Sequence, residues 1–158
     1  MAKKKALHEK LGIRFAELGA LYGVRAMLIA KDLIPKKTIE VCSNTHSFNM
    51  STAGEVKECG SVGCIGGNMA IIMGITSFGD VAAYVHNHQY LRKYLPTECC
   101  SEALTSLFFP DANTRGSESA QIPIEWSDFT VKQTLQAIDN FLAGKKRPWA
   151  GIAYKPHR

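Results

Sequence analysis

Four side chains in the first half of the chain, Cys42, His46, Cys59 and Cys64, are of the types that tetrahedral zinc takes, thiolate sulfur and imidazole nitrogen. Their spacing, Cys-x3-His and Cys-x4-Cys, lacks the two-residue knuckle that usually wraps the metal. An iron-sulfur motif needs another cysteine three residues after Cys64, and that position is Gly67. Burial as reduced thiols, which are common core groups, is the plainer role and is preferred to metal binding.

Cys59 suggests a second chemistry. It sits just before a segment that reads as a helix N-terminus, where the dipole lowers a thiol's pKa. With His46, His86 or His88 as base it would be a nucleophile, and the competing role is a structural turn cysteine. At the same helix end the backbone amides of Gly60, Ser61, Val62 and Gly63 would cradle an anion such as phosphate. Neither a Walker lysine nor Gly-x-Gly-x-x-Gly spacing accompanies them, so the site is generic rather than a nucleotide fingerprint. His86 and His88 point about 200° apart on a helix and cannot share a metal there.

The third chemistry is electrostatic. The chain carries a formal charge of +5, concentrated in Lys3 to Lys5, Lys36-Lys37, Arg92-Lys93 and Lys145-Lys146-Arg147, with Lys155 and Arg158 at the end. Lys145, Lys146, Arg147 and Trp149 combine phosphate contact with an aromatic face, which suits nucleic acid, a phosphate-bearing ligand or an acidic protein. No helix-turn-helix, RNA-binding or zinc-finger signature supports the nucleic-acid reading, and a solvated tail is the plainer one.

The elements that must position these groups are mostly helices. Leu7, Leu11, Phe15, Leu18, Tyr22, Ala26, Ile29 and Leu33 recur at helical spacing and predict one long helix buried along that stripe, with Leu21, Val24 and Leu28 as a second stripe in its later half. Residues 38–42 alternate and suit a short strand or extended chain. Ser61 is placed to cap a helix through Val62, Ile65, Met69 and Ile72. Its other face is small at Gly63, Gly66, Gly67, Ala70 and Gly74, a groove for close helix packing. Asp80 opens a helix through Val81, Tyr84, Val85, His88, Leu91 and Leu95, stopped at Pro96, and a shorter one spans about Glu98 to Phe109 with Leu104, Leu107 and Phe108 inward. Thr130 to Gln133 is a capping box for a last helix with Val131, Leu135, Ile138 and Leu142 on its apolar face, closed by Gly144.

The expected architecture is a compact, mainly α single domain of about five helices over residues 1–144. A basic C-terminal tail or docking arm follows over 145–158. Length, 158 residues with 46% hydrophobic and 21% charged, suits one core. The five cysteines, an odd count without a secretory leader, suit reduced thiols. No run is apolar enough to span a membrane, and a cytoplasmic protein is expected.

The run from Cys59 to Gly67 also resembles the signature of a family of small, largely uncharacterised phage and bacterial proteins, in which Cys-Gly-Ser or Cys-Gly-Thr is followed two residues later by Cys-Ile-Ala-Gly and an aromatic residue. Phe48-Asn49-Met50, Leu107-Phe108-Phe109-Pro110 and Trp126 before a capped last helix extend the likeness. Gly66 stands where the signature has alanine, and Asn68 where it has the aromatic residue. The resemblance implies a phage accessory or host-interaction factor, one that counteracts defence in the host cytoplasm, with no established activity. Together with the charge, it favours a non-enzymatic binding protein over a Cys59 enzyme or a nucleic-acid binder.

Overall fold

Gly12 divides what the hydrophobic spacing presents as one long helix. In the computed structural model, which describes residues 4–33, 46–48, 55–57, 60–63, 65–75, 78–86, 99–109 and 130–152, helix α1 spans Leu7–Leu11 and α2 spans Phe15–Leu33. Gly12 adopts φ 70°, a left-handed conformation that costs other residues about 1 kcal/mol or more. Its amide donates to the Glu9 carbonyl at 3.3 Å and that of Ile13 to His8 at 3.0 Å, closing α1.

The inward face of α2 is the expected second stripe, extended by Ala20, rather than the longer one. Ala20, Leu21, Val24 and Leu28 are buried, whereas Phe15, Tyr22 and Ile29 are 76%, 46% and 37% exposed. The two stripes are offset by one residue, about 100° of helix rotation. Spacing gives the period of a helix with apolar residues on two sides, but not which side meets the core.

Strands β1 (His46–Phe48), β2 (Glu55–Lys57) and β3 (Gly60–Gly63) form a three-stranded sheet in the order β1-β3-β2. The central β3 runs parallel to β1, with His46 opposite Ser61, and antiparallel to β2, with Lys57 opposite Gly60. The expected turn capped by Ser61 is therefore replaced by a strand, and helix α3 begins later, at Ile65–Ile72. Residues 38–42 lie outside the described residues.

Every residue of α3 from Ile65 to Ala70 is buried, Asn68 included, because the helix packs against α2, against α4 (Phe78–His86), against α5 (Thr105–Phe108) and against β1 and β3. Burying side chains such as Ile65 and Met69 supplies about 1.5–3 kcal/mol each. Gly66 is pressed by the Phe108 ring: a Cβ there would lie 2.8 Å from Cδ2 and Cε2. The expected groove is thus filled by an aromatic side chain, and only its middle is groove. Gly63 belongs to β3, and Gly74, with φ 91°, ends α3 as the Ile75 amide donates to the Ala70 carbonyl at 2.9 Å.

A 3-10 turn, Glu102–Leu104, leads into α5, and Leu104, Leu107 and Phe108 are buried. The last helix, α6, spans Val131–Leu142 behind the capping box. The Gln133 amide donates to Thr130 Oγ1 at 3.2 Å, and the Thr130 amide to Gln133 Oε1 at 3.0 Å. Its buried residues are Thr134, Ala137, Ile138 and Phe141, with Val131, Leu135 and Leu142 at the flanks. Arg25 on α2 pairs with Asp139 on α6 at 2.7 Å.

The chain after α6 returns to the core. Trp149 is buried and its Nε1 donates to the Leu107 carbonyl at 2.8 Å, Ile152 is buried beside it, and Asn140 Nδ2 donates to the Pro148 carbonyl at 2.8 Å. The protein is mainly α-helical, and no helix among the described residues is long and apolar enough to cross a membrane.

Candidate functional site

The residues that could carry chemistry separate into three groups, only the first of them made up wholly of sequence candidates. Cys42, Cys59 and Cys64, with His88, lie outside the described residues, and His46 is placed as backbone of β1. Among the described residues no three His, Cys, Asp or Glu side chains gather in a way that would hold a metal ion. The anion cradle at Gly60, Ser61, Val62 and Gly63 is corrected by the sheet. Amides of a central strand point alternately to its two neighbours, and here both β1 and β2 pair with β3, so they cannot converge on one anion. Trp149 is likewise corrected. Buried and hydrogen-bonded to Leu107, it offers no stacking face to a nucleic acid, whereas Lys145, Lys146 and Arg147 remain exposed.

A second group was not anticipated from the sequence. Glu17 is fully buried, and its carboxylate accepts from five donors. Oε1 takes Arg14 Nη2 at 2.8 Å, the Ser101 amide at 2.9 Å and the Tyr84 hydroxyl at 3.1 Å. Oε2 takes the Arg14 amide at 2.9 Å and the Ser101 hydroxyl. Glu17 is the third residue of α2, so its reach back to the Arg14 amide is half of a capping box, favoured by the helix dipole. Arg14 Nη2 also donates to the Cys99 carbonyl at 2.8 Å, tying this helix start to the chain that leads into the 3-10 turn.

Burial pushes the Glu17 carboxyl up, but the hydrogen bonds from Arg14 and Ser101 outweigh it and hold the group below the usual carboxylate range. Burial, and then the Glu17 charge, push the Tyr84 hydroxyl far above its ordinary value. A carboxylate has about four lone-pair sites, so five donors leave Glu17 nothing with which to accept a substrate proton. Nearby Cys99 and Cys100 are buried thiols, and the Cys100 amide and thiol donate to the Tyr84 and Val85 carbonyls. The network is a clamp between α2, α4 and the 3-10 turn. The signal that marks it in the sequence is a carboxylate on the same face as Ala20, Leu21 and Val24, directly after a helix break.

The third group forms an open cleft of about 410 Å³. One wall is the end of α1, Lys10 and Leu11; another is Glu102, Ala103 and Ser106; the third is Phe141, Gly144, Lys145 and Lys146 at the end of α6. Local structure explains the convergence. The left-handed turn at Gly12 seats the end of α1 over Ala103, whose Cβ is 3.8 Å from where a Gly12 Cβ would stand. At the other side the Gly144 amide donates to Phe141 at 2.8 Å and that of Lys145 to Asn140 at 3.0 Å, turning the chain so that consecutive lysines edge the cleft. Lys145 Nζ is steadied by Asn140 Oδ1 at 2.9 Å.

Leu11, Ala103 and Phe141 supply apolar surface, and the charged residues that line the cleft are three lysines and one glutamate, Glu102. Such a cleft attracts anions and excludes little water, which suits binding rather than proton transfer. The three lysines come from opposite ends of the chain, so the sequence marks Lys145 and Lys146 as a cluster but gives no sign that Lys10 joins them.

No protein-family model matches the chain, and neither a curated protein nor a solved structure matches it significantly.

Proposed function

We propose that the protein is a non-enzymatic binding protein that holds an anionic ligand, a phosphate-bearing molecule or an acidic protein, in the cleft edged by Lys10, Lys145 and Lys146. The observation that carries this reading is the excess of three lysines over one glutamate around an apolar floor. The acid-base groups of the Glu17 network are consumed by their own hydrogen bonds, which favours binding over catalysis at that place. The resemblance of the Cys59 to Gly67 run to phage proteins supports an accessory role against a host target in the host cytoplasm.

The test is calorimetric titration of the protein with tripolyphosphate and, separately, with hexaglutamate, for wild type and for K10E/K146E. Binding of either anion that weakens with added salt, and drops about tenfold or more in the double variant, is expected. No binding of either anion, or equal binding by both proteins, overturns the reading.

A further inference from the structure

The cleft has two features that a simple anion site does not need, an apolar floor and an acidic residue in its wall, and together they discriminate between ligands. We infer that its occupant is an acidic peptide segment carrying one large apolar side chain, with that side chain on Leu11, Ala103 and Phe141 and its flanking carboxylates toward Lys10, Lys145 and Lys146. This rests on the proposed anion-binding role of the same cleft.

Three arguments favour a peptide over a phosphate. The positive groups are all lysines, compact point charges on flexible stems, rather than the planar arginine forks that bind phosphate bidentately. Glu102 in the wall lowers the local positive charge, which disfavours a compact, doubly charged phosphate more than single carboxylates spread along a peptide. The volume, about 410 Å³, holds an anchoring side chain with its neighbouring backbone, and the open shape lets a chain enter and leave at the ends. Charge complementarity thus sets the surroundings of the peptide and the floor sets its anchor, the division between rim and buried centre found where proteins recognise one another.

The experiment measures fluorescence anisotropy of two labelled twelve-residue peptides on the full-length protein. Both are rich in glutamate and aspartate, and they differ only in a central leucine against serine. Unlabelled tripolyphosphate serves as competitor. The leucine peptide is expected to bind about tenfold or more tightly than the serine peptide, from burial of one side chain, and to lose most of its affinity in K10E/K146E. An A103D variant, which places a carboxylate on the floor, is expected to abolish the preference for leucine.

Equal binding of the two peptides, with binding lost in K10E/K146E, overturns the anchored-peptide inference and leaves a plain anion site. Tripolyphosphate displacing the leucine peptide at concentrations well below the peptide's own Kd overturns it in favour of a phosphate ligand. Binding by neither peptide nor tripolyphosphate removes the inference together with the anion-binding reading.

Discussion

The Tyr84 hydroxyl on α4 donates a hydrogen bond of 3.1 Å to Glu17 Oε1 on α2, across sixty-seven residues of chain. Because Arg14 and Ser101 donate to the same carboxylate, one buried charge joins three elements. Replacing it with an amide turns donors toward donors. Glu17→Gln should lower the unfolding free energy by about 3 kcal/mol, and Tyr84→Phe, which removes one neutral donor, by about 1 kcal/mol, both read from urea denaturation.

The same pair makes stability depend on pH in both acid and alkali. In the folded protein Glu17 titrates below its ordinary 4.5, so its contribution is fully present above that pH and is lost as pH falls toward the lower folded value. Tyr84 is raised above its ordinary 10.0, so its contribution is present below pH 10 and is lost as pH rises beyond it. Thermal unfolding between pH 2 and 12, run on wild type and each variant, should show a flatter acid limb for Glu17→Gln and a flatter alkaline limb for Tyr84→Phe, each about as wide as one titration. An unchanged acid limb in Glu17→Gln would contradict a clamp built on the Glu17 charge.

Gly66 meets an obstacle that cannot move easily. The Phe108 ring is buried and tilted against the Tyr84 ring at a centroid distance of 6.2 Å, and a Cβ at Gly66 would lie 2.8 Å from it. Alanine gains about 1 kcal/mol of helix propensity over glycine, but overpacking costs about 1–3 kcal/mol, and with the ring held the clash wins. Gly66→Ala is therefore expected to destabilise, and adding Phe108→Leu should recover part of the loss, a coupling that a double-mutant cycle measures.

The exposed and buried stripes of α2 make opposite predictions for residues of similar apolar character. Phe15→Ser, which gives up an edge-on contact with the His8 ring at 5.6 Å, and Tyr22→Ser should each cost about 1 kcal/mol or less, whereas Leu21→Ala and Leu28→Ala should each cost about 2–5 kcal/mol. Differential scanning calorimetry on the four variants decides between the faces, and a large loss at Phe15 would restore the orientation that spacing alone suggests.

What the sequence reveals here is mostly local. The Thr130 to Gln133 box and the stop at Gly144 involve groups three to five residues apart, so their residue types suffice. Leu104, Leu107 and Phe108 turn inward as their spacing implies. The misread features depend on distant partners. Ser61 is a strand residue because His46 and Val56 pair with it on either side, and Trp149 is buried because the Leu107 carbonyl, forty-two residues earlier, receives its indole N–H. Gly12 is the exception: a single glycine inside a strong apolar period was legible as a helix stop, and the period masked it. In the cleft, Lys145 and Lys146 form a visible cluster, but only folding brings Lys10 and the apolar floor to them.

The proposed ligand enters one cleft rather than the positive surface at large. Backbone amide chemical-shift mapping of the uniformly labelled protein during titration with the leucine-anchored acidic peptide tests it most directly. Saturable shifts concentrated at Lys10, Leu11, Ala103, Ser106, Gly144 and Lys146 are expected, with little change around Gly60 to Gly63. Shifts spread over all the basic segments, or centred on Gly60 to Gly63, would contradict it.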